Sequence, residues 1–367
     1  MRSWMHATAL LLSASTAMLS TWIERHAVES EQPEEQQPAA QQPLAVNPPR
    51  SESGESYTVG RAELRWFDAT RGRAVPATLY YPREGQPAPV AIFSHGLGRG
   101  RESYAYLGHC WAQHGIASLM VEHLGSDDEV WRGKLRAKRA LREALNSPAS
   151  SYWRPRDLLV AIDGLAQLVS ESEVYAARLD LSRIGAAGND IGAEAALALG
   201  GARVAGGNGS RDPRIRAVVL MSPPMPRGGA SSYTFSEVRV PCLHITGTND
   251  DGWIGSTTAA QRRLPFDHIR GVDQYLITFY GGDHLIYSGN PRPRANGNRN
   301  DAPYQRRICI ASTLFWKAYL AGDTTVRSQL VEGGMREMLS GAARVEMKRG
   351  SAADDNVEAL PASVQPQ

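Results

Sequence analysis

Between residues 57 and 344 the chain alternates short, continuously apolar runs with longer stretches whose apolar residues recur at helical spacing. Pro89-Val90-Ala91-Ile92-Phe93, Ile116 to Val121, Ile184 to Ala187, Ala217 to Met221, Cys242 to Thr246 and Gln274 to Phe279 are too short for helices and are bounded by turn residues. They read as strands buried on both faces. Between them, Tyr104 to His114 suits a helix, and Arg156 to Val169 places Leu158, Leu159, Ile162, Leu165 and Leu168 along one helical stripe. Two alternating runs, Ala62 to Trp66 and Ala77 to Tyr81, flank the turn Thr70-Arg71-Gly72-Arg73 and predict a hairpin at a sheet edge. Alternation of strand and helix predicts the α/β class: a mainly parallel central sheet with helices on both faces and chemistry at the carboxyl ends of its strands.

The flanks follow different patterns. Arg2 precedes a short apolar stretch, Ala7 to Leu19, the outline of an export signal, so residues 1–27 read as a leader and the chain as exported, periplasmic or extracellular. Residues 28–56 turn to Gln, Pro, Glu and Ser, with too little apolar surface to offset ordering, and read as a disordered tether. The folded domain is expected over 57–345, with a disordered tail over 346–367.

Composition narrows the function classes. The 367 residues are 42% hydrophobic and 21% charged with a net charge of +2, enough for a large core and no field that selects nucleic acid. No apolar run reaches the roughly 18 residues of a membrane span. Cys110, Cys242 and Cys309 have no metal-type spacing; their odd number excludes a complete disulfide framework and leaves room for one bridge. No cofactor or metal is implied, and the expected partner is a small-molecule substrate.

Candidate chemistry sits where three strands end. Ile184 to Ala187 runs into Gly188-Asn189-Asp190-Ile191-Gly192 and then an Ala-rich helix from Glu194 to Leu199. Glycines either side of the middle residue let the chain turn sharply enough to push Asp190 out above the sheet, a nucleophile elbow. Thr246-Gly247-Thr248-Asn249-Asp250-Asp251 offers an acid, Asp250 ahead of Asp251, and Tyr280-Gly281-Gly282-Asp283-His284 offers an imidazole. The order nucleophile, acid, histidine is that of the α/β-hydrolase fold. Ser94-His95-Gly96-Leu97-Gly98 closes the first central strand, and the Leu97 and Ile191 amides could form an oxyanion hole.

With these residues in place, the sequence resembles bacterial α/β-hydrolases of the dienelactone hydrolase type, similar to platelet-activating-factor acetylhydrolases and related secreted esterases. The likeness runs from about Val59 to Asp323. It is carried by Ser94-His95-Gly96-Leu97-Gly98, Trp153-Arg154-Pro155-Arg156-Asp157, Met221-Ser222-Pro223, Thr246-Gly247-Thr248-Asn249-Asp250, His284 and the closing helix Ala311 to Trp316. It implies Asp250 as the acid that orients His284, and His284 as general base; separately, no insertion of cap size is evident along the chain, so a scaffold without a large cap is expected. That family has Gly-His-Ser-x-Gly at the elbow; here the serine is Asp190.

A carboxylate at a helix N-terminus is electrostatically favoured and needs no base to activate it. Against an ester it is a poor nucleophile, because its reference pKa of ~3.9 makes it a better leaving group than an alcohol. Three readings follow: a hydrolase of small apolar substrates using Asp190, His284 and Asp250; alkyl-enzyme chemistry like that of haloalkane dehalogenases and epoxide hydrolases; or an inactive esterase scaffold that binds a small molecule. Asp190 acting as a base on water is a variant of the first. Dehalogenases usually have Trp after the aspartate and Asn after His-Gly, where this chain has Ile191 and Leu97, and the cap tyrosines of epoxide hydrolases have only Tyr104, Tyr106 and Tyr152 as counterparts. Gly125 to Arg154 reads as a polar, Arg-rich excursion. His244 and His95 read as structural, Asp283 as a turn residue, and Ser222 as an improbable substitute nucleophile. The glycines at 200–201 and 206–209 follow a helix and do not form a phosphate loop. Leu97, Tyr104 and Trp153 are candidates for lining an apolar pocket.

Overall fold

The computed structural model describes residues 56–203, 211–226, 229–289 and 301–350. The expected leader, the tether up to residue 55, the tail beyond residue 350 and the glycines at 206–209 lie outside the described residues.

The hairpin forms as expected: β1 (Val59–Asp68) and β2 (Arg73–Pro82) pair antiparallel, with β1 at the sheet edge. β3 (Ala88–Ser94) is buried at every residue, and α1 (Ala105–Gln113) leads back to β4 (Ala117–Val121). α2 (Ala137–Leu145) lies in the excursion, and α3 (Trp153–Glu171) precedes β5 (Leu179–Asn189). Asp190 separates β5 from α4 (Ile191–Leu199); β6 (Ile215–Met221), β7 (Cys242–Asn249), β8 (Gln274–Asp283), α5 (Ala302–Trp316) and β9 (Ala343–Lys348) complete the fold. The strand order is β1-β2-β4-β3-β5-β6-β7-β8-β9. The six strands from β4 to β8 in that order are parallel. β9, an antiparallel edge strand, carries ordered chain to Lys348; its short, partly charged run gives little signal.

Period-two alternation divides the core. Ala91 and Phe93 of β3 pack with Trp111 of α1 and Phe315 and Trp316 of α5, whereas Val90 and Ile92 pack with Leu158, Ile162 and Leu165 of α3. Both faces are covered, as a parallel sheet requires. This is the α/β-hydrolase fold, and β3, β5, β6, β7 and β8 all end on one rim. Among the described residues no helix is long and apolar enough to cross a membrane. Cys110 of α1 and Cys309 of α5 form a disulfide with a Cα–Cα separation of 6.3 Å, and Cys242 is free and buried.

Candidate active site

The elbow follows from two close approaches. A Cβ on Gly188 would lie 2.2 Å from the Gly192 carbonyl oxygen, and one on Gly192 would lie 2.1 Å from that of Ser94. Only glycine fits either position. Asp190 between them takes φ 53° and ψ −127°. The other described non-glycine residue with positive φ is Ser222, at 51°, directly after β6. Such backbones cost about 1–3 kcal/mol each and persist where surrounding bonds fix them. Here Asp190 N–H donates to the Met221 carbonyl (2.9 Å) and Ser222 N–H to that of Ile245 (2.7 Å).

The rim brings Asp190, Asp250 and His284 together. His284 Nδ1 lies 3.0 Å from Asp250 Oδ1, and its Nε2 lies 3.9 Å from Asp190 Oδ1. Asp251, the alternative acid, instead accepts from the Ala259 amide (2.8 Å). Asp250 is fully buried, and four side chains hydrogen-bond its carboxylate: His284 and Ser222 at Oδ1, Thr246 and Tyr287 at Oδ2. Burial alone would raise its pKa, but the His284 hydrogen bond and the charge of Arg262 outweigh it and hold the group below the usual carboxylate range. Asp250 is therefore a fixed anion behind the imidazole.

Ser222 is not a substitute nucleophile. Its Oγ donates to Asp250 Oδ1 (2.8 Å) and lies 2.9 Å from His284 Nδ1, on the side of the ring away from Asp190, and the residue is fully buried. Asp283 accepts from the Leu285 amide (2.9 Å), a turn role. His244 is a core residue, 3.2 Å from Gln274 Oε1.

The Leu97 N–H donates to Asp190 Oδ2 at 3.4 Å, so one carboxylate oxygen faces the expected oxyanion position while the other faces His284. Ile191 opens α4, where a backbone N–H has no intrahelical acceptor. The Leu97 loop is fastened from below. Arg154, fully buried, donates to the His95 carbonyl, to Ser94 Oγ (3.3 Å) and to Ser126 Oγ (3.2 Å). Ser94 Oγ is 2.8 Å from His123 Nε2, and His123 Nδ1 is 3.0 Å from Asp157 Oδ2. This serine–histidine–aspartate chain is buried throughout and serves as scaffold. Tyr104 OH donates to Asn189 Oδ1 (2.7 Å), tying the elbow to α1.

His123 has a consequence for stability. Burial, reinforced by the Arg154 charge, lowers its pKa well below the ordinary imidazole value, and burial brings His244 down to about 3. Below the unfolded-state pKa of about 6.5 the unfolded chain binds protons that the native chain does not, so stability falls with pH. Each histidine contributes a slope of about 1.4 kcal/mol per pH unit from 6.5 downward. Urea denaturation at pH 7, 6 and 5 should show this decline, with a shallower slope in His123→Asn; a flat profile over that range would contradict it.

A cleft of about 380 Å³ opens over Asp190, His284 and Leu97. The excursion walls one side of it with Trp131, Leu141 and Leu145, which corrects its reading as merely polar. α2 exposes its arginines and lysine and turns Leu141 inward. Trp131 Nε1 also donates to the Gly98 carbonyl (2.7 Å), joining this wall to the Leu97 loop. Of the pocket candidates only Leu97 lines the cleft; Tyr104 is core, and Trp153 stacks on the Arg73 guanidinium at 4.6 Å. Tyr106 donates to the Tyr287 carbonyl (2.9 Å), Tyr152 is exposed, and neither borders the cleft. Among the described residues no cluster suits a metal ion.

Arg262 is the site residue that sequence reasoning missed. It is buried beneath the cleft, with Nη1 3.8 Å from Asp190 Oδ1 and Nη2 3.3 Å from His284 Nδ1. Nothing in Gln261-Arg262-Arg263 distinguishes it from the chain's many other arginines. Arg154 and Asp157 had a signal, because both stand in the quoted Trp-Arg-Pro-Arg-Asp stretch.

The family model of platelet-activating factor acetylhydrolase, isoform II, matches residues 72–132. That segment holds β2, β3, the Leu97 loop, α1 and β4, and stops short of Asp190, Asp250 and His284. No curated protein matches the chain. The fold and this match together support an α/β-hydrolase of the lipase and esterase type.

Proposed function

We propose that the protein is a hydrolase of small, largely apolar substrates in which Asp190 is a nucleophile that becomes transiently alkylated, His284 the base and Asp250 its orienting acid. The observation that carries this reading is the division of labour between the Asp190 oxygens: Oδ2 on the Leu97 amide, Oδ1 turned to His284 across 3.9 Å. In the first step Oδ1 attacks a saturated carbon of R–X; the C–O bond forms as C–X breaks, and X departs with its electron pair. In the second, His284 Nε2 takes a proton from water, whose oxygen adds to Asp190 Cγ. The negative charge gathers on Oδ2, which faces the Leu97 amide, and the Ile191 amide, next in sequence to Asp190, is the second donor in this proposal. Collapse expels R–O⁻, which takes the proton back from His284 to give R–OH, and the carboxylic acid left on Asp190 loses the remaining water proton to solvent, restoring the carboxylate.

A serine-type ester cycle fits less well, since an acylated Asp190 would be a mixed anhydride and the carboxylate would leave before the alcohol. Epoxide opening calls for an acid on the leaving oxygen, and Tyr104, Tyr106 and Tyr152 all lie off the cleft. The reading therefore favours a leaving group that departs as a stable anion. Export is part of the proposal, supported by the Cys110–Cys309 disulfide, a bond typical of oxidising compartments.

The test is trapping. His284→Gln should still be alkylated and fail to turn over, so incubation with 1-bromobutane should leave one butyl group on the Asp190 peptide by mass spectrometry. A single turnover of the unmodified chain in heavy-oxygen water should label the Asp190 carboxylate. Alcohol formation without label in that peptide would point to Asp190 as a base on water, and no alkylation with any halide or sulfonate ester would sink the proposal.

A further inference from the structure

The site presents a charge problem that its chemistry alone does not resolve. Two carboxylates flank one imidazole, Asp250 at Nδ1 (3.0 Å) and Asp190 near Nε2 (3.9 Å), and the first is fully buried. Like charges so placed repel one another, and the buried one has little solvent to screen it. A serine at the elbow would not raise this difficulty.

We propose that Arg262 is the countercharge that allows a carboxylate to stand at this elbow. Its side chain is 1% exposed and brings a guanidinium charge beneath the two carboxylates. Nη1 lies 3.8 Å from Asp190 Oδ1, Nε 3.5 Å from Asp250 Oδ1 and Nη2 3.3 Å from His284 Nδ1, so one guanidinium touches all three members of the set. Its fork is fixed by main-chain acceptors: Nε donates to the Asp250 carbonyl (3.1 Å) and Nη1 to that of Ser222 (2.8 Å). Those anchors do not depend on the elbow residue, whereas the approach to Asp190 matters only when that residue is charged. Arg262 is thus a positioning residue, and the inference concerns charge balance whatever bond the enzyme breaks.

Thermal unfolding tests this without any turnover, and so separately from the proposed reaction. Removing one partner of a buried charge set is costly, and Arg262→Gln should lower the midpoint by about 6–10 °C in the Asp190 chain. In Asp190→Ser the same change should cost about half as much. Arg262→Lys, which keeps the charge and loses the fork, should recover most of the difference in the Asp190 chain. Equal losses in both backgrounds, or a lysine no better than glutamine, would show that Arg262 only anchors the Ser222 and Asp250 carbonyls. A second arm leaves Arg262 intact in case its variants do not fold. Asp190→Ala vacates a carboxylate position between Arg262 and the Leu97 amide, so formate should raise its midpoint relative to chloride at equal ionic strength and leave the unmodified chain unmoved. The same response in both chains would overturn the inference.

Discussion

Asp190→Ser should turn the chain into an esterase. Short-chain p-nitrophenyl esters are expected to be hydrolysed by the variant at least about 10³-fold faster than by the unmodified protein, the order that an activated nucleophile supplies. The surrounding parts are in place: His284 faces the elbow across 3.9 Å, its other nitrogen is held by Asp250 at 3.0 Å, and the Leu97 amide points at the position of an oxyanion. A serine there gains a base within reach, and its tetrahedral adduct expels the alcohol to leave an acyl-enzyme that water hydrolyses. The carboxylate fails at that same step, because a tetrahedral adduct on Asp190 returns to carboxylate and ester. Parallel initial rates decide the matter. If the unmodified chain hydrolyses the esters and Asp190→Ser does not, the leaving-group argument is wrong and Asp190 is itself an ester catalyst.

The second large effect concerns stability. Cys110 and Cys309 close a loop with a sequence separation of 199 residues between α1, which follows the Leu97 loop, and α5 near the end of the domain. A cross-link of that span restricts the unfolded chain by about 5 kcal/mol in the chain-entropy model, with about 2–5 kcal/mol typical when a native bridge is removed. Replacing both cysteines with serine should therefore lower the unfolding midpoint by about 5–10 °C. A reducing agent should do the same to the unmodified chain and nothing to the double variant. An unchanged midpoint in both would mean that the bridge does not form in solution, and would remove the support it lends to export.

These two predictions draw on different layers of information. The strands, α1, α3, the edge hairpin and the elbow were legible because each is local. A continuous apolar run of five or six residues has few folded solutions, and Gly188 and Gly192 mark a turn that no side chain could enter. Asp250 and His284 were legible for a related reason: strand ends in a parallel sheet meet at one rim, so order along the chain becomes proximity in space. β9 was missed because its short run of alternating, partly charged residues is indistinguishable from loop until β8 offers an edge to pair with.

Sequence by itself thus determined the fold class, the position of the elbow and the residue at its tip. Tertiary structure alone decided what stands behind those residues. It brought Arg262 up beneath two carboxylates, placed Ser222 against Asp250 on the far side of the imidazole, and folded the excursion so that Trp131, Leu141 and Leu145 wall the cleft. It also selected Cys309 over Cys242 as the partner of Cys110. The physical reason is common to all four: these contacts join segments distant along the chain whose residue types are ordinary in their own neighbourhoods. Local propensity carries no information about which buried charge or hydroxyl will find which partner; only close packing of the whole sheet and its helices sets those distances.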